Sequence, residues 1–258
     1  MFGNKSALLC IFFIGAIGLS NGLLSEEKVS AEKVQERSID FVTFYDPPYI
    51  FNSSETNKQG LVQIILKHLM ANIDIKYSLQ MMPPKRAELF AKATPNTCIF
   101  PIEKSQEREV YFSWISPILV SKHGLFQIEK HNPILLEALE DARPYRLGSY
   151  LGSGIGDYLK SFGFQVDYAN QNEANILKLK ANRIDLWASD ILTAAYISKT
   201  ENIEISESRL DFFTTLKAIG CHPSIDEKII TEMNKELQWM YQKGQIFSIV
   251  QKFKADIY

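Results

Sequence analysis

Four short stretches of the sequence combine residue types that can hold a small charged molecule. The first is Ser105-Gln106-Glu107-Arg108-Glu109, followed by Tyr111-Phe112-Ser113-Trp114 and Pro117. An arginine just past the carboxyl end of a sheet strand stands where open α/β sheets take ligands, and its planar fork matches a carboxylate through two parallel hydrogen bonds. Arg108 can equally pair with Glu107 or Glu109 at the surface. The second, Gly152-Ser153-Gly154-Ile155-Gly156-Asp157, opens a helix. Its glycines let backbone N–H groups approach a ligand, and the positive end of the helix dipole suits a carboxylate or phosphate. A plain helix cap needs the same residues. The G-x-G-x-G spacing departs from the dinucleotide fingerprint and no P-loop lysine follows, which speaks against a nucleotide.

The third stretch, Arg183-Ile184-Asp185-Leu186-Trp187-Ala188-Ser189-Asp190, is a short apolar strand ending in an acid. There Asp190 can accept hydrogen bonds from a ligand ammonium group, or N-cap the helix after it, whereas Asp185 precedes the strand and caps it. In the fourth, Met82-Pro83-Pro84-Lys85-Arg86-Ala87, proline sets a helix start and Arg86 looks towards a cleft or solvent. No nucleophile with its base is visible, and His68, His123, His131 and His222 lack ligand spacing, so no metal, cofactor or enzymatic activity is expected. With 28 Lys+Arg against 30 Asp+Glu, a net charge of −2 and no basic tract, the footprint of a nucleic-acid binder is missing.

Positioning these groups falls to an alternation of strands and helices. Ile39 to Phe44 is a β-branched and aromatic strand, ended by Asp46-Pro47-Pro48, where two prolines remove donors and force a turn. Leu61 to Ala71 repeats apolar residues at helical spacing. Ile73 to Leu79 reads as a strand, Lys85 to Ala93 as a helix and Thr97 to Ile102 as a strand. A second unit starts after Pro117, with strands at Tyr145 to Gly148, Phe164 to Tyr168 and Asp185 to Ala188. Its helices fall at Gly152 to Phe162, Glu173 to Ala181 and Ala194 to Ser198. Thr215 to Cys221 is a strand, and Ile225 to Phe253 carries two amphipathic helices broken at Gly244. This βαβ rhythm predicts an α/β protein with mostly parallel sheets flanked by helices, in two units of ordinary domain size.

Ahead of the first strand, Lys5 precedes the apolar run Ala7 to Leu19, and Ser20, Asn21 and Gly22 follow. That is the pattern of a secretory leader over residues 1–22, since about 13 apolar residues fall short of the roughly 20 that span a bilayer. Ser25 to Arg37 is polar and reads as a loose arm or weak helix. Cys10 follows Leu9 rather than a small residue and is no lipid-attachment site. Cys98 and Cys221 read as two small buried thiols, although an oxidising compartment would let them pair if their Cα atoms came within about 7 Å.

In this order the pieces resemble the family 3 bacterial extracellular solute-binding proteins, the amino-acid-type periplasmic binding proteins. The resemblance rests on Tyr45-Asp46-Pro47-Pro48-Tyr49, Gly60, Pro84-Lys85-Arg86-Ala87, Glu107-Arg108-Glu109 with Phe112-Ser113-Trp114 and Pro117, Gly152-Ser153-Gly154, and Arg183-Ile184-Asp185 leading to Asp190. It implies a two-lobed type II fold, in which residues 23–118 and 212–258 form lobe 1 and residues 119–211 an inserted lobe 2. Crossover strands would lie near Ile118 to Lys122 and Asp211 to Thr214, with hinge closure on the ligand.

On that resemblance Arg108 grips a ligand carboxylate, Ser153 and Gly154 share it through backbone amides, and Asp190 takes the ammonium. Tyr45 and Tyr49 supply aromatic walls, with Phe44 in the core; Trp114 and Trp187 are alternative walls or packing. The implied protein is a periplasmic, unlipidated monomer that hands an amino-acid-like solute to an inner-membrane permease. Two residues depart from the pattern: Glu103 stands five positions before the arginine where small or hydroxyl residues are common, and Pro101 where glycine is. Glu103 favours a cationic ligand or pairs with Lys104 or Arg86. As a general acid, Glu103 would instead suit an exported enzyme of cyclohexadienyl dehydratase type. A ligand sensor without a transport role is the third reading.

Overall fold

The computed structural model describes residues 38–52 and 58–257, so the leader and the arm fall outside the described residues. Strand β1 is Ser38–Thr43, where exposed Ser38 and Asp40 alternate with buried Ile39 and Phe41. Helix α1 is Leu61–Ala71, as its spacing predicts, with Leu61, Val62, Ile65, Leu66, Leu69 and Met70 as one buried stripe. Then come β2 (Lys76–Met81), α2 (Pro84–Ala93), β3 (Thr97–Glu103) and a one-turn α3 (Gln106–Glu109) that the sequence reading misses. Strand β2 starts later than expected because Ile73 and Ile75 are buried in the core beneath α1 before the chain becomes extended. The stretch expected only as a crossing at Ile118 to Lys122 is a 14-residue strand, β4 (Ser113–Phe126).

The second unit contains β5 (Leu147–Tyr150), α4 (Gly154–Ser161), β6 (Val166–Ala169), α5 (Glu173–Lys180), β7 (Leu186–Asp190) and α6 (Ile191–Glu201). Strand β8 (Leu210–Cys221) follows, and then α7 (Glu227–Gln242) and α8 (Gln245–Ile257). These last two helices part at Gly244, whose φ of 68° lies in the left-handed region open to glycine. Asp185 makes an ion pair with Arg146 at 2.7 Å rather than capping β7.

The strand order is β2-β1-β3-β8-β4-β7-β5-β6. The β1, β2 and β3 pairings are parallel, as are those of β5 with β6 and β7. Each antiparallel pairing involves β4 or β8, which run side by side as Val120↔Leu216, Ser121↔Thr215 and Lys122↔Thr214. Two lobes with mostly parallel strands are thus joined through a pair of long crossover strands. One core gathers Phe41 of β1, Ile65 and Leu69 of α1, and Met233 and Leu237 of α7. The other lobe is built on Leu147, Ile155, Leu159 and Leu186, and around the fully buried Trp187.

The two cysteines are joined. Cys98 of β3 and Cys221 of β8 sit directly opposite each other, with Cα atoms 4.0 Å apart and a disulfide between them, so the reading as two free thiols is corrected. Their pairing depends on an antiparallel register between strands 123 residues apart, which local sequence does not reveal.

Gly60 sits where the start of α1 passes under the turn after β1. A Cβ there would lie 2.1 Å from the Tyr49 carbonyl oxygen and 2.6 Å from the Ile50 nitrogen, both backbone atoms that cannot rotate aside. Gly60→Ala is therefore expected to cost about 1–3 kcal/mol, read as a lower urea midpoint. An unchanged midpoint would show that the turn can shift freely.

Candidate functional site

Each lobe brings its own strand ends to one cavity of about 290 Å³. From the first lobe come Tyr45 and Asp46 on the turn after β1, Pro101 and Glu103 at the end of β3, Glu88 of α2, Arg108 of α3 and Lys217 of β8. Tyr150, Gly152, Gly154 and Asp157 face them from the second lobe. The turn places these groups by a tight local pattern: the Tyr49 and Ile50 amides both donate to the Asp46 carbonyl at 2.8 Å, so Asp46 faces the cavity while Tyr49 points behind it. A wider cavity of about 920 Å³ near Phe126, Ile191 and Arg209 is more open and does not draw on the β3 edge or the α4 turn.

Of the residues singled out in the sequence, Arg108, Glu103, Gly154 and Tyr45 line this cavity, and Tyr49, Asp190, Ser153 and Arg86 do not. Tyr49 is a core residue, 2% exposed, whose hydroxyl donates to Asp190 Oδ1 at 2.6 Å. Asp190 is buried and also N-caps α6, accepting from the Thr193 amide at 3.0 Å. Ser153 caps α4, its hydroxyl accepting from the Gly156 amide. Arg86 is exposed on α2, and its neighbour Glu88 faces the cavity further along the helix. Trp187 is packing, and Trp114 lies edge-on against Phe112. Phe44 packs on the core around Val42 and also reaches the cavity wall.

Arg108 pairs with neither Glu107 nor Glu109. Its Nε donates to Glu88 Oε1 and its Nη1 to the Glu103 carbonyl, both at 3.2 Å. Glu88 also accepts from Lys92, and these two cations hold its carboxyl below the usual range against the effect of burial.

Asp46, Glu88, Lys217 and His123, titratable groups at or beside the cavity, escape the sequence reading. Lys217 is 7% exposed, with its Nζ 3.9 Å from Asp46 Oδ2 and 4.2 Å from the centre of the Tyr49 ring. Burial alone would lower its pKa, but Asp46, Asp190 and Glu103 outweigh burial and raise it, so it stays an ammonium. Burial pushes the Asp46 carboxyl up to about 6, with Asp190, Glu103 and Glu173 adding to the rise and Lys217 opposing it. His123 stands opposite Asp190 across β4 and β7, and burial lowers its pKa despite Asp190 and Glu103. Its Nε2 is 2.9 Å from the Thr215 hydroxyl. Desolvation and the same carboxylates raise the Tyr150 phenol. Together these residues make a polar floor with surplus negative charge, suited to a ligand carrying an ammonium group. Among the described residues no group of His, Cys, Asp and Glu could hold a metal, and no helix is long and apolar enough to cross a membrane.

The chain matches no protein-family model and no curated protein sequence. Solved structures do resemble it. A histidine kinase sensor domain with similarity to periplasmic binding proteins superposes with a TM-score of 0.73 at 16% identity, covering 84% of this chain and 96% of its own. The probable amino-acid ABC transporter extracellular-binding protein ytmK from Bacillus subtilis gives 0.73 at 18% identity, covering 86% and 99%. The amino acid ABC transporter substrate-binding protein AbpA from Streptococcus pneumoniae, bound to L-arginine, gives 0.71 at 14% identity, covering 86% and 96%. At such identities the likeness is one of fold, and this chain folds as the two-lobed, type II periplasmic binding proteins do.

Proposed function

We propose that this is an exported solute-binding protein that captures a small polar solute, an amino acid or a related amine-carboxylate, between its lobes and presents it to a membrane permease. The observation that carries this reading is the cavity walled by both lobes, with the charged Asp46, Glu103 and Lys217 on one side and Tyr150, Gly152 and Gly154 on the other. A ligand touching both walls stabilises the closed arrangement by its own differential contacts. In this reading residues 1–22 are a cleaved leader and the mature monomer works in the periplasm. Residues 119–211 form the lobe inserted between 23–118 and 212–258, and the lobes close about β4 and β8. The Cys98–Cys221 disulfide suits such an oxidising compartment, and the arginine and glutamate held by fold neighbours suit the ligand class.

The test is calorimetric titration of the common L-amino acids across pH. Protonation of Asp46 removes part of the negative charge that favours a ligand carrying an ammonium group, so affinity is expected to fall by up to about tenfold per pH unit below about 6. Asp46→Asn should bind more weakly at pH 7 and lose that dependence. Absence of binding at every pH would overturn the reading. A sensing role is the second reading, because one fold neighbour is a histidine kinase sensor domain. Loss of uptake of the bound solute in a deletion strain separates transport from sensing.

A further inference from the structure

The resemblance gives the ligand carboxylate to Arg108 and the ammonium to Asp190, yet both are already committed within the protein. Arg108 donates to Glu88 and to the Glu103 carbonyl. Asp190 accepts from the Tyr49 hydroxyl and the Thr193 amide, and is not on the cavity wall. The charged side chains of Lys217 and Glu103, buried and half-buried, reach that wall with no hydrogen bond to their charged atoms among the described residues, whereas Lys85 at the rim is exposed. The buried Lys217 ammonium has three N–H donors and, among the described residues, no acceptor within hydrogen-bond distance, since Asp46 Oδ2 stands at 3.9 Å. Glu103 is its direct partner across β3 and β8. Its carboxylate lies against the α4 turn, where a methyl group on Gly154 would meet Oε2 at 2.0 Å, and His123 Nε2 stands 3.9 Å from its Oε1.

The Lys217 ammonium is held charged by the surrounding carboxylates yet keeps donors that a ligand carboxylate can meet. Resting on capture of a solute in this cleft, we propose that Lys217 receives the ligand carboxylate and Glu103 its ammonium, so that one cross-strand pair at the junction of the lobes selects a zwitterion in place of Arg108 and Asp190. The surroundings set the order among ligands. Asp46, Glu103 and Asp190 outnumber Lys217 and push its pKa up, so a ligand ammonium relieves excess negative charge whereas a bare carboxylate adds to it. An amine without a carboxylate meets Glu103 but leaves the Lys217 donors unmet. The zwitterion should bind best, the amine next and the acid least.

Titration of the twenty common L-amino acids finds the tightest, and the amine lacking its carboxylate and the acid lacking its ammonium are then titrated into wild type, Lys217→Met, Glu103→Gln and Arg108→Ala. In wild type the amine should bind about tenfold or more weaker than the amino acid, and the acid weaker still. Lys217→Met should lose at least about tenfold more amino-acid affinity than Arg108→Ala, and bind amine and amino acid alike. A larger loss in Arg108→Ala, with the amino acid still bound by wild type, overturns the assignment alone. A panel in which no amino acid binds overturns the capture reading and the assignment together. Should Lys217→Met fail to fold, Glu103→Gln decides: at least about a tenfold loss supports the assignment and an unchanged affinity overturns it.

Discussion

Lys217→Met is expected to lower the unfolding free energy of the ligand-free protein by about 3–5 kcal/mol at pH 7, and by about 1 kcal/mol less at pH 5. Methionine keeps the bulk of the chain but removes the cation that faces Asp46, Asp190 and Glu103, leaving buried negative charge uncompensated. The pH dependence follows from two shifts. Lys217 has a folded pKa raised above 10.5, so its contribution is present below that pH and is lost only above it. Asp46 has a folded pKa of about 6 against 3.8, so the folded state binds this proton more tightly. Its contribution to stability is therefore present below about pH 3.8 and lost as the pH rises through 6. Without Lys217 the Asp46 carboxyl rises further, and the variant recovers stability on acidification. Urea unfolding of both proteins at pH 7 and 5 measures the difference, in which Glu88, Asp141 and Asp185, all lowered, cancel as common to both. Equal losses at the two pH values would show that Lys217 acts through packing. Adding Asp46→Asn should restore part of the loss, and the cycle isolates their coupling.

Removing the disulfide should have an effect of similar size. Cys98 and Cys221 are fully buried and close a loop with a sequence separation of 123. A cross-link across so long a loop restricts the unfolded chain by about 5 kcal/mol in the entropic account, and strain or residual unfolded structure brings the observed value below that. Reductant should lower the urea midpoint of the wild type and leave a Cys98→Ala/Cys221→Ala variant unmoved. A wild type insensitive to reductant once unfolded would rule out the bond as a determinant of stability.

Features set by local spacing are legible in the sequence. The ends of α1 coincide with its apolar stripe because a surface helix must bury one face, whatever surrounds it. Glu103, Arg108 and Gly154 reach the cavity because they stand at or just past the carboxyl ends of strands, where open α/β sheets leave crevices. Lys217 is hidden inside a run that reads as a plain buried strand. There the usual alternation is inverted: Leu216 is 40% exposed and Lys217 is buried, because pairing with β3 on one side and β4 on the other fixes the register of β8. A lysine at an inward position of a doubly paired strand is the signal that finds it. Asp46 reads only as a companion to the prolines, and Tyr45 and Tyr49 as equals, although the turn sends one to the cavity and the other into the core.

The path of the chain through β4 and β8 also governs the order of assembly at the ribosome. Everything β5, β6 and β7 need for their parallel pairings and helices is made before β8 emerges, so that stretch can pack while synthesis continues. Strand β3 is made earlier still, but it waits for β8 as its antiparallel neighbour, and the first core waits for α7 and α8. The half of the protein that begins the described chain is therefore the last to be finished, and a nascent chain stalled short of β8 would carry one packed lobe and two open sheet edges, those of β3 and β4.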